Sequence, residues 1–189
     1  MGPRDSVGRR HPGRRAGRSC PGGHRGAARA GGHWRRWRGG PTTRVLVLQG
    51  PNLNLLGTRE PEIYGRETLG EIHAGIAARA AELGLEVAFF QSNHEGALID
   101  RLHERDFDVV VVNAGGLTHT SVSLRDALLA VQRPFLEVHL SDPSTREPFR
   151  KVNFLSDVAV ESIVGKGARG YNHALESIAA RFGGGATDG

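Results

Sequence analysis

The chain has 189 residues, enough for one domain with a sizeable hydrophobic core. Its formal net charge of +5 is uneven, because residues 1–43 hold 11 arginines and one aspartate while the remainder holds 14 basic and 19 acidic residues. Cys20 is the only cysteine, which excludes an intrachain disulfide framework and a cysteine-based metal site and favours a reducing, cytoplasmic compartment. No apolar run approaches the roughly 20 residues of a membrane helix, so we expect no membrane-spanning segment.

The composition of residues 1–43 predicts a disordered, Gly/Arg-rich N-terminal extension. They contain 11 glycines and almost no large aliphatic side chains, so they bury too little apolar surface to offset the entropy of ordering. The alternative is nonspecific RNA or DNA binding through the arginines, Trp34 and Trp37, and we expect no such nucleic-acid partner. We interpret the extension as an overextended translation start, which mass spectrometry of the native N-terminus would test.

The remainder of the chain alternates strand patterns with helix patterns. Five strands are predicted, at Val45–Leu48, Leu85–Phe90, Asp108–Val112, Pro134–Leu140 and Val158–Val164. The run DVVVV at Asp108–Val112 is uninterrupted, as in a central parallel strand that is covered on both faces. This alternation predicts an α/β fold, a three-layer sandwich with right-handed crossovers.

Four helices and one helical turn are predicted between and after the strands. Capping boxes at Thr68–Glu71 and Ser92–Glu95 open the first two helices, and Gly84 ends the first. The other helices are predicted at Ser121–Val131 and Ala168–Phe182, with a short turn at Arg146–Arg150. The predicted buried helix residues are Leu69, Ile72, Ile76, Leu83, Leu98, Ile99, Leu102, Leu124, Leu128, Tyr171, Leu175 and Ile178.

Polar side chains follow three of the predicted strands at the points where the strands end. They are Asn52, Asn54, Arg59 and Tyr64 after the first strand, Asn113 and His119 after the third, and Glu137, His139 and Ser141 at the fourth. Loops at the carboxyl ends of parallel strands form the ligand crevice of an open α/β sheet. The sequence therefore predicts one shared crevice built from three strand ends.

Three sequence blocks at these strand ends resemble the signature blocks of type II 3-dehydroquinate dehydratases. They are GPNLNLLGTREPEIYG at residues 50–65, NAGGLTHTSVSLRDA at residues 113–127 and EVHLSDPSTREPFR at residues 137–150. The resemblance extends from Arg44 to Phe182. It implies a catalytic domain at residues 44–183, followed by a flexible C-terminus at 184–189, and a flavodoxin-like sheet of five parallel strands in the order 2-1-3-4-5.

The resemblance also implies an activity. The expected reaction is anti elimination of water from 3-dehydroquinate, through an enolate, to give 3-dehydroshikimate in the shikimate pathway to aromatic amino acids. Type II enzymes use no metal and no organic cofactor, and they assemble as homododecamers of four trimers. The elimination needs a base for the proton beside the ketone, an acid for the departing hydroxide and a group that steadies the enolate.

Tyr64 matches the base of the type II family. A phenol has a reference pKa of about 10, so a phenolate near neutral pH costs roughly 4 kcal/mol unless a cation offsets that cost. Arg59, five residues earlier, is the cation available to activate Tyr64 and to stabilise the transition state. The other tyrosine, Tyr171, lies on the inward face of a predicted helix, and we expect it to pack in the core.

His139 is the candidate proton donor, because histidine titrates near neutral pH. Side chains alternate along a strand, so Glu137 and His139 point to the same face and the carboxylate can orient the imidazole. The resemblance gives Asn113, His119 and Arg150 as contacts to substrate hydroxyl groups, and Leu140 and Ser141 as contacts to the substrate carboxylate. It gives Asn52 as a group that steadies the enolate.

Asp126 is expected at the edge of the crevice, reaching across from a neighbouring subunit. The alternative for Asp126 is a solvated helix residue paired with Arg125. Arg146 is a second basic residue near the crevice and has no predicted role.

Two other classes of function compete with this interpretation. A flavodoxin-like flavin or nucleotide module would use Gly115-Gly116, but this pair lacks the fingerprint of a nucleotide site. Dehydroquinate dehydratases of the other class act through a lysine imine, and the two lysines of this chain, Lys151 and Lys166, are not at predicted strand ends in the crevice. We therefore expect that borohydride does not inactivate the protein in the presence of substrate.

Overall fold

The computed structural model describes Gly2 and residues 42–58 and 65–183. Most of the predicted N-terminal extension, the C-terminal segment 184–189, and Arg59 and Tyr64 lie outside the described residues. Within the described part of the chain, no helix is both long enough and apolar enough to cross a membrane.

Five parallel strands form one sheet, and their order confirms the predicted 2-1-3-4-5 arrangement. The strands are β1 (Thr43–Gln49), β2 (Leu85–Gln91), β3 (Val109–Asn113), β4 (Phe135–His139) and β5 (Glu161–Val164). All five residues of β3 are buried, as expected for a strand with neighbours on both sides and helices on both faces. The valine run therefore marks the middle of the sheet.

Four α-helices cover the two faces of this sheet. They are α1 (Leu69–Glu82), α2 (Glu95–His103), α3 (Val122–Ala130) and α4 (Arg169–Phe182). The alternation along β1 divides the core, because Val45 and Val47 pack with α1 and α4 while Leu46 and Leu48 pack with α2 and α3. The predicted three-layer sandwich is confirmed, with one apolar cluster on each side of the sheet.

The two predicted capping boxes have different outcomes. In α1 the Thr68 hydroxyl accepts from the Glu71 backbone N–H at 3.3 Å, and the Glu71 carboxylate accepts from the Thr68 N–H at 2.8 Å. The box at Ser92 is wrong, because Ser92 still donates its backbone N–H to Gln49 in the neighbouring strand. Its hydroxyl accepts from the N–H of His94 at 3.0 Å, and His94, not Ser92, is the residue directly before α2.

Strand and turn boundaries differ from the predictions near the end of the chain. The fifth strand begins at Glu161 and not at Val158, because the N–H groups of Val158 and Ala159 both donate to the Leu155 carbonyl and form a turn. The predicted helical turn at Arg146–Arg150 overlaps a short 3-10 helix at Pro148–Lys151, and a second, unpredicted 3-10 helix lies at Pro143–Thr145. Two further unpredicted 3-10 helices, at Leu53–Leu55 and Gly115–His119, follow β1 and β3.

Candidate active site

A cleft of about 140 Å³ lies at the carboxyl ends of β1, β3 and β4, where the sequence predicted one shared crevice. Its described lining residues are Pro51, Asn52, Leu53, Leu56, Asn113, Gly115, Gly116, His119, His139, Leu140, Ser141, Pro143, Arg146 and Arg150. Seven of the predicted site residues are in this set, namely Asn52, Asn113, His119, His139, Leu140, Ser141 and Arg150. The three strand ends therefore do converge.

The wall between β1 and β3 is held by a close backbone approach. The Gly50 N–H donates to the Asn113 carbonyl at 2.8 Å, and a Cβ on Gly50 would lie 2.3 Å from the Ala114 carbonyl oxygen. The chain then turns at Asn52, whose φ of 68° is left-handed and whose N–H donates to the Asn93 side chain at 2.8 Å. Only glycine, which has no Cβ, allows the ends of β1 and β3 to lie this close together in the wall of the cleft.

Glu137 and His139 form a buried pair at the end of β4. The Nε2 atom of His139 lies 2.8 Å from the Glu137 carboxylate, as the alternation of side chains along the strand predicted. Glu137 is fully buried and lies behind the ring, while His139 is 6% exposed and lines the cleft. Because Nε2 is held by the carboxylate, Nδ1 is the ring nitrogen left to exchange a proton with a ligand.

Three further side chains hold the Glu137 carboxylate. The Thr118 hydroxyl donates to it at 2.5 Å, the Ser162 hydroxyl at 2.9 Å, and the Asn153 amide reaches both oxygens at 3.0 Å. Burial alone raises the pKa of Glu137, but hydrogen bonds from His139, Thr118 and Asn153 and the charge of His139 outweigh it and lower this pKa. Glu137 is therefore an ionised carboxylate in the core that holds the His139 ring in place.

Asn113 is fixed from both ends of its amide. Its Oδ1 accepts from the Gly115 N–H at 3.2 Å, and its Nδ2 donates to the Tyr171 hydroxyl at 3.1 Å. Tyr171 is fully buried on α4, which confirms its predicted place in the core, and burial raises the pKa of its phenol. Tyr171 is therefore a neutral hydrogen-bonding group and not a base.

The rest of the cleft carries positive or neutral side chains. His119 is bound through Nδ1 to the Val152 carbonyl at 2.6 Å, and Arg150 is paired through Nε with Glu147 at 2.6 Å. No aspartate or glutamate is among the described residues that line the cleft. Such a surface favours an anionic ligand with several oxygen atoms.

Asp126 is described but does not line the cleft, and two further predicted site residues, Arg59 and Tyr64, are not described. Asp126 lies exposed on α3, and its neighbour Arg125 binds the carboxylate of Asp157 and the Phe154 carbonyl. Asp126 is therefore solvated, as the alternative predicted, but the hydrogen-bonded partner of Arg125 is Asp157, and Asp126 acts on Arg125 only through its nearby charge. Arg59 and Tyr64 belong to the segment outside the described residues, which begins one residue after Thr58.

Several polar residues that contact the site were not predicted. They are Thr118, Asn153 and Ser162 around Glu137, Gln49 beside Tyr171, and the hydroxyl of Tyr171 itself. Helical periodicity gives the direction of Tyr171 but not the partner of its hydroxyl. The one available signal was Gln49, a polar residue that directly follows the apolar run Val45–Leu48 in β1.

Neither lysine lines the cleft, since Lys151 and Lys166 are both exposed elsewhere. The described residues hold no group of three or more His, Cys, Asp or Glu side chains that could bind a metal ion.

Comparison with known proteins gives a consistent family assignment. The family model for dehydroquinase class II matches residues 43–179. The 3-dehydroquinate dehydratase 1 of Ralstonia nicotianae is 55% identical over 144 residues, which are 75% of this chain and 92% of that protein. The catabolic 3-dehydroquinase of Aspergillus clavatus is 53% identical over 140 residues, which are 73% of this chain and 93% of that protein.

Solved structures agree with these relatives. The type II dehydroquinase from Butyrivibrio crossotus matches with a TM-score of 0.72 and 40% identity, over 74% of this chain and 99% of that chain. The type II dehydroquinase from Propionibacterium acnes matches with a TM-score of 0.70 and 36% identity, over 74% of this chain and 97% of that chain. The resemblance seen in the three sequence blocks is confirmed, and the chain belongs to the dehydroquinase class II family.

Proposed function

We propose that the protein is a hydro-lyase that removes water from 3-dehydroquinate by anti elimination through an enolate and releases 3-dehydroshikimate. The observation that carries this proposal is the Glu137–His139 pair, a buried carboxylate behind a histidine that lines a cleft with no described acidic residue. Family membership supports the substrate, because the relatives from Ralstonia nicotianae and Sodalis glossinidius are named 3-dehydroquinate dehydratases.

His139 is the proposed proton donor. Its imidazolium gives a proton to the hydroxyl on the β carbon, the C–O bond breaks, and the hydroxyl leaves as water. The ionised Glu137 contacts Nε2 and keeps the ring in one orientation. The orientation is fixed because this carboxylate is buried and is itself held by three further donors.

Tyr64 is the proposed base, and Arg59 is its activating partner. The Tyr64 phenolate takes the proton from the carbon beside the ketone, and the electron pair of that C–H bond forms the enolate. Leu53 and Leu56 line the cleft and precede Arg59 and Tyr64 by a few residues in the sequence, which supports the assignment of both residues to this site. Asn52, also in the lining, would steady the enolate oxygen.

The remaining lining groups are proposed to bind the substrate. Asn113, His119 and Arg150 would contact its hydroxyl groups, and the Leu140–Ser141 segment would contact its carboxylate. The surplus of positive side chains supports this assignment, because the substrate carries one negative charge. These contacts form in the substrate and in the enolate alike, so they serve binding more than chemistry.

The active assembly is proposed to be a dodecamer of four trimers, in which Asp126 completes a neighbouring cleft. Val122, Asp126 and Leu129 share one exposed face of α3, at intervals of four and three residues. Two exposed apolar side chains beside a carboxylate support a subunit contact there. Sedimentation of the purified protein would test the assembly.

We place the reaction in the shikimate pathway and in the cytoplasm. The single cysteine in 189 residues supports a reducing compartment. The relatives include a protein named a catabolic 3-dehydroquinase, so quinate degradation is the second role to test, by comparing growth of a deletion strain without aromatic amino acids and on quinate.

The deciding experiment is the ultraviolet absorbance of the conjugated enone when purified protein is mixed with 3-dehydroquinate. Turnover by the parent and its near absence in Tyr64→Phe would support both the reaction and the base. A folded parent without turnover would contradict the proposed function. Full activity in Tyr64→Phe would contradict the base alone, and inactivation by borohydride with substrate would indicate imine chemistry instead.

A further inference from the structure

A row of three buried polar side chains, Gln49, Tyr171 and Asn113, lies on the side of the sheet that α1 and α4 cover. Gln49 and Asn113 are register partners at the ends of β1 and β3, so their side chains leave the sheet side by side. Gln49 and Tyr171 are fully buried, and Asn113 is 3% exposed. Three polar groups in an apolar layer are costly unless each has a partner.

These side chains form a continuous chain of hydrogen bonds that leads to the cleft. The Tyr171 hydroxyl oxygen accepts from Gln49 Nε2 and from Asn113 Nδ2, both at 3.1 Å. At the far end, Nε2 of His73 on α1 lies 2.5 Å from Gln49 Oε1. The chain therefore runs from His73 through Gln49 and Tyr171 to Asn113.

His73 determines the direction of this chain. Its ring stacks on Phe89, with centroids 4.2 Å apart and planes at 21°, and burial lowers the pKa of its imidazole. A neutral imidazole with its hydrogen on Nε2 donates to Gln49 Oε1, which turns the Gln49 N–H group toward Tyr171.

The hydroxyl oxygen of Tyr171 then receives two donors, and Asn113 must present Nδ2 to it. The opposite end of the Asn113 amide already accepts from Gly115. What remains on Asn113 is one N–H donor and one acceptor lone pair, and a ligand hydroxyl complements both.

We propose that His73, Gln49 and Tyr171 are positioning residues that hold the Asn113 amide in the one orientation that binds a substrate hydroxyl. The proposal rests on the proposed function of Asn113 as a substrate contact. Without the chain, the amide can rotate, and the two ends that meet the ligand can exchange. A purely structural role for Tyr171 would need only its ring, which phenylalanine also supplies.

The first test is Tyr171→Phe, assayed by enone absorbance. The variant leaves Gln49 Nε2 and Asn113 Nδ2 without their acceptor, and we expect KM to rise about tenfold while kcat stays within about twofold. Ile178→Val on the same helix is the matched control, because Ile178 is fully buried and has no polar atom in the side chain. A Tyr171→Phe KM equal to that of the control would overturn the proposal.

A double-mutant cycle tests whether Tyr171 acts through Asn113. We expect Asn113→Ala together with Tyr171→Phe to have the same kcat/KM as Asn113→Ala alone, because the chain then has nothing left to position. Fully additive losses would overturn the proposal.

His73 has a conservative replacement that separates hydrogen bonding from packing. His73→Gln keeps an N–H donor within reach of Gln49, whereas His73→Leu does not. We expect His73→Leu to raise KM about threefold and His73→Gln to restore the parent value. Equal KM values in the two variants would remove His73 from the proposed chain.

Crystal structures of the parent and of Tyr171→Phe, without substrate, separate this proposal from the proposed function. We expect the Asn113 amide to rotate away from Gly115 in the variant. An unchanged amide would overturn the positioning role even if the parent is an active dehydratase. A rotated amide in a protein without turnover would support the positioning role while the proposed function fails.

Discussion

Buried polar groups lie next to the cleft on both faces of the sheet, and they are charged on one face and neutral on the other. On the face covered by α2 and α3, Glu137 is an ionised carboxylate surrounded by donors from four side chains. On the face covered by α1 and α4, the row formed by Gln49, Tyr171 and Asn113 holds a neutral phenol and two amides. The charged side can move a proton, whereas the neutral side can only orient a ligand.

This difference indicates a division of work across one sheet. A change on the charged side should alter the barrier of the reaction and therefore kcat. A change on the neutral side should alter binding and therefore KM.

The largest effect is expected for His139→Gln, which removes the proton donor. We expect kcat to fall by a factor of about 10² to 10⁴ with little change in KM, measured by enone absorbance. Tyr171→Phe is the variant for comparison, because it is expected to change KM and not kcat. If both variants lower kcat alone, the two faces of the sheet do not have separate roles in chemistry and binding.

Thr118→Val tests the support of the charged side. It removes the 2.5 Å donor to Glu137, and a hydrogen bond to a charged group contributes about 1.5–3 kcal/mol. We expect that loss in the free energy of unfolding by urea, together with a severalfold fall in kcat. Thr118→Ser keeps the hydroxyl and should retain both values, and a Thr118→Ser as weak as Thr118→Val would attribute the effect to packing.

Glu137 should contribute to the acid limb of stability, whereas the neutral phenol of Tyr171 should not. The folded-state pKa of Glu137 lies below its ordinary value, so its carboxylate stabilises the fold above about pH 4.3, and this contribution is lost as the pH falls further through the folded-state pKa. We expect Glu137→Gln to flatten the fall of the unfolding free energy between about pH 5 and pH 3.

Urea unfolding at a series of pH values measures this slope. Tyr171→Phe should keep the slope of the parent, because its phenol is neutral throughout that range. An unchanged slope in Glu137→Gln would contradict the assignment of a stabilising carboxylate.

The smallest effect is expected for Arg79→Gln, at the surface of the neutral side. Arg79 links α1 to α4 by an ion pair with Glu176 at 2.8 Å, and exposed pairs of this kind contribute little. We expect an unchanged KM and a barely altered urea midpoint. A KM shift equal to that of Tyr171→Phe would mean that any contact between α1 and α4 affects binding, and the buried row would then have no special part.

The sheet could be predicted because its signals are local. The run at Asp108–Val112 indicates burial on both faces, and alternation alone places Glu137 and His139 together. The wrong capping box at Ser92 and the late start of the fifth strand have a common cause. In both places backbone N–H groups already have partners, Gln49 of the neighbouring strand for Ser92 and the Leu155 carbonyl of a local turn for Val158 and Ala159, and a sequence pattern does not reveal these bonds.

The chemistry of the candidate site was predictable in part. The polar strand ends indicated the crevice, and the resemblance indicated the roles. The surroundings of Glu137 were not predictable, because Thr118, Asn153 and Ser162 lie 16 to 25 residues away from it in sequence and meet it only after packing. A predicted role for Asp126 needs a second subunit, which one sequence does not describe.

The close approach at Gly50 has a consequence for attempts to broaden the range of accepted molecules. Any side chain at position 50 would collide with the backbone of Ala114, so the wall formed by the ends of β1 and β3 cannot be reshaped by a substitution there. We expect variants that accept bulkier ring compounds to arise instead from Leu53, Leu56 and Pro143, whose side chains line the cleft. Libraries for such redesign should leave position 50 untouched and concentrate their diversity there.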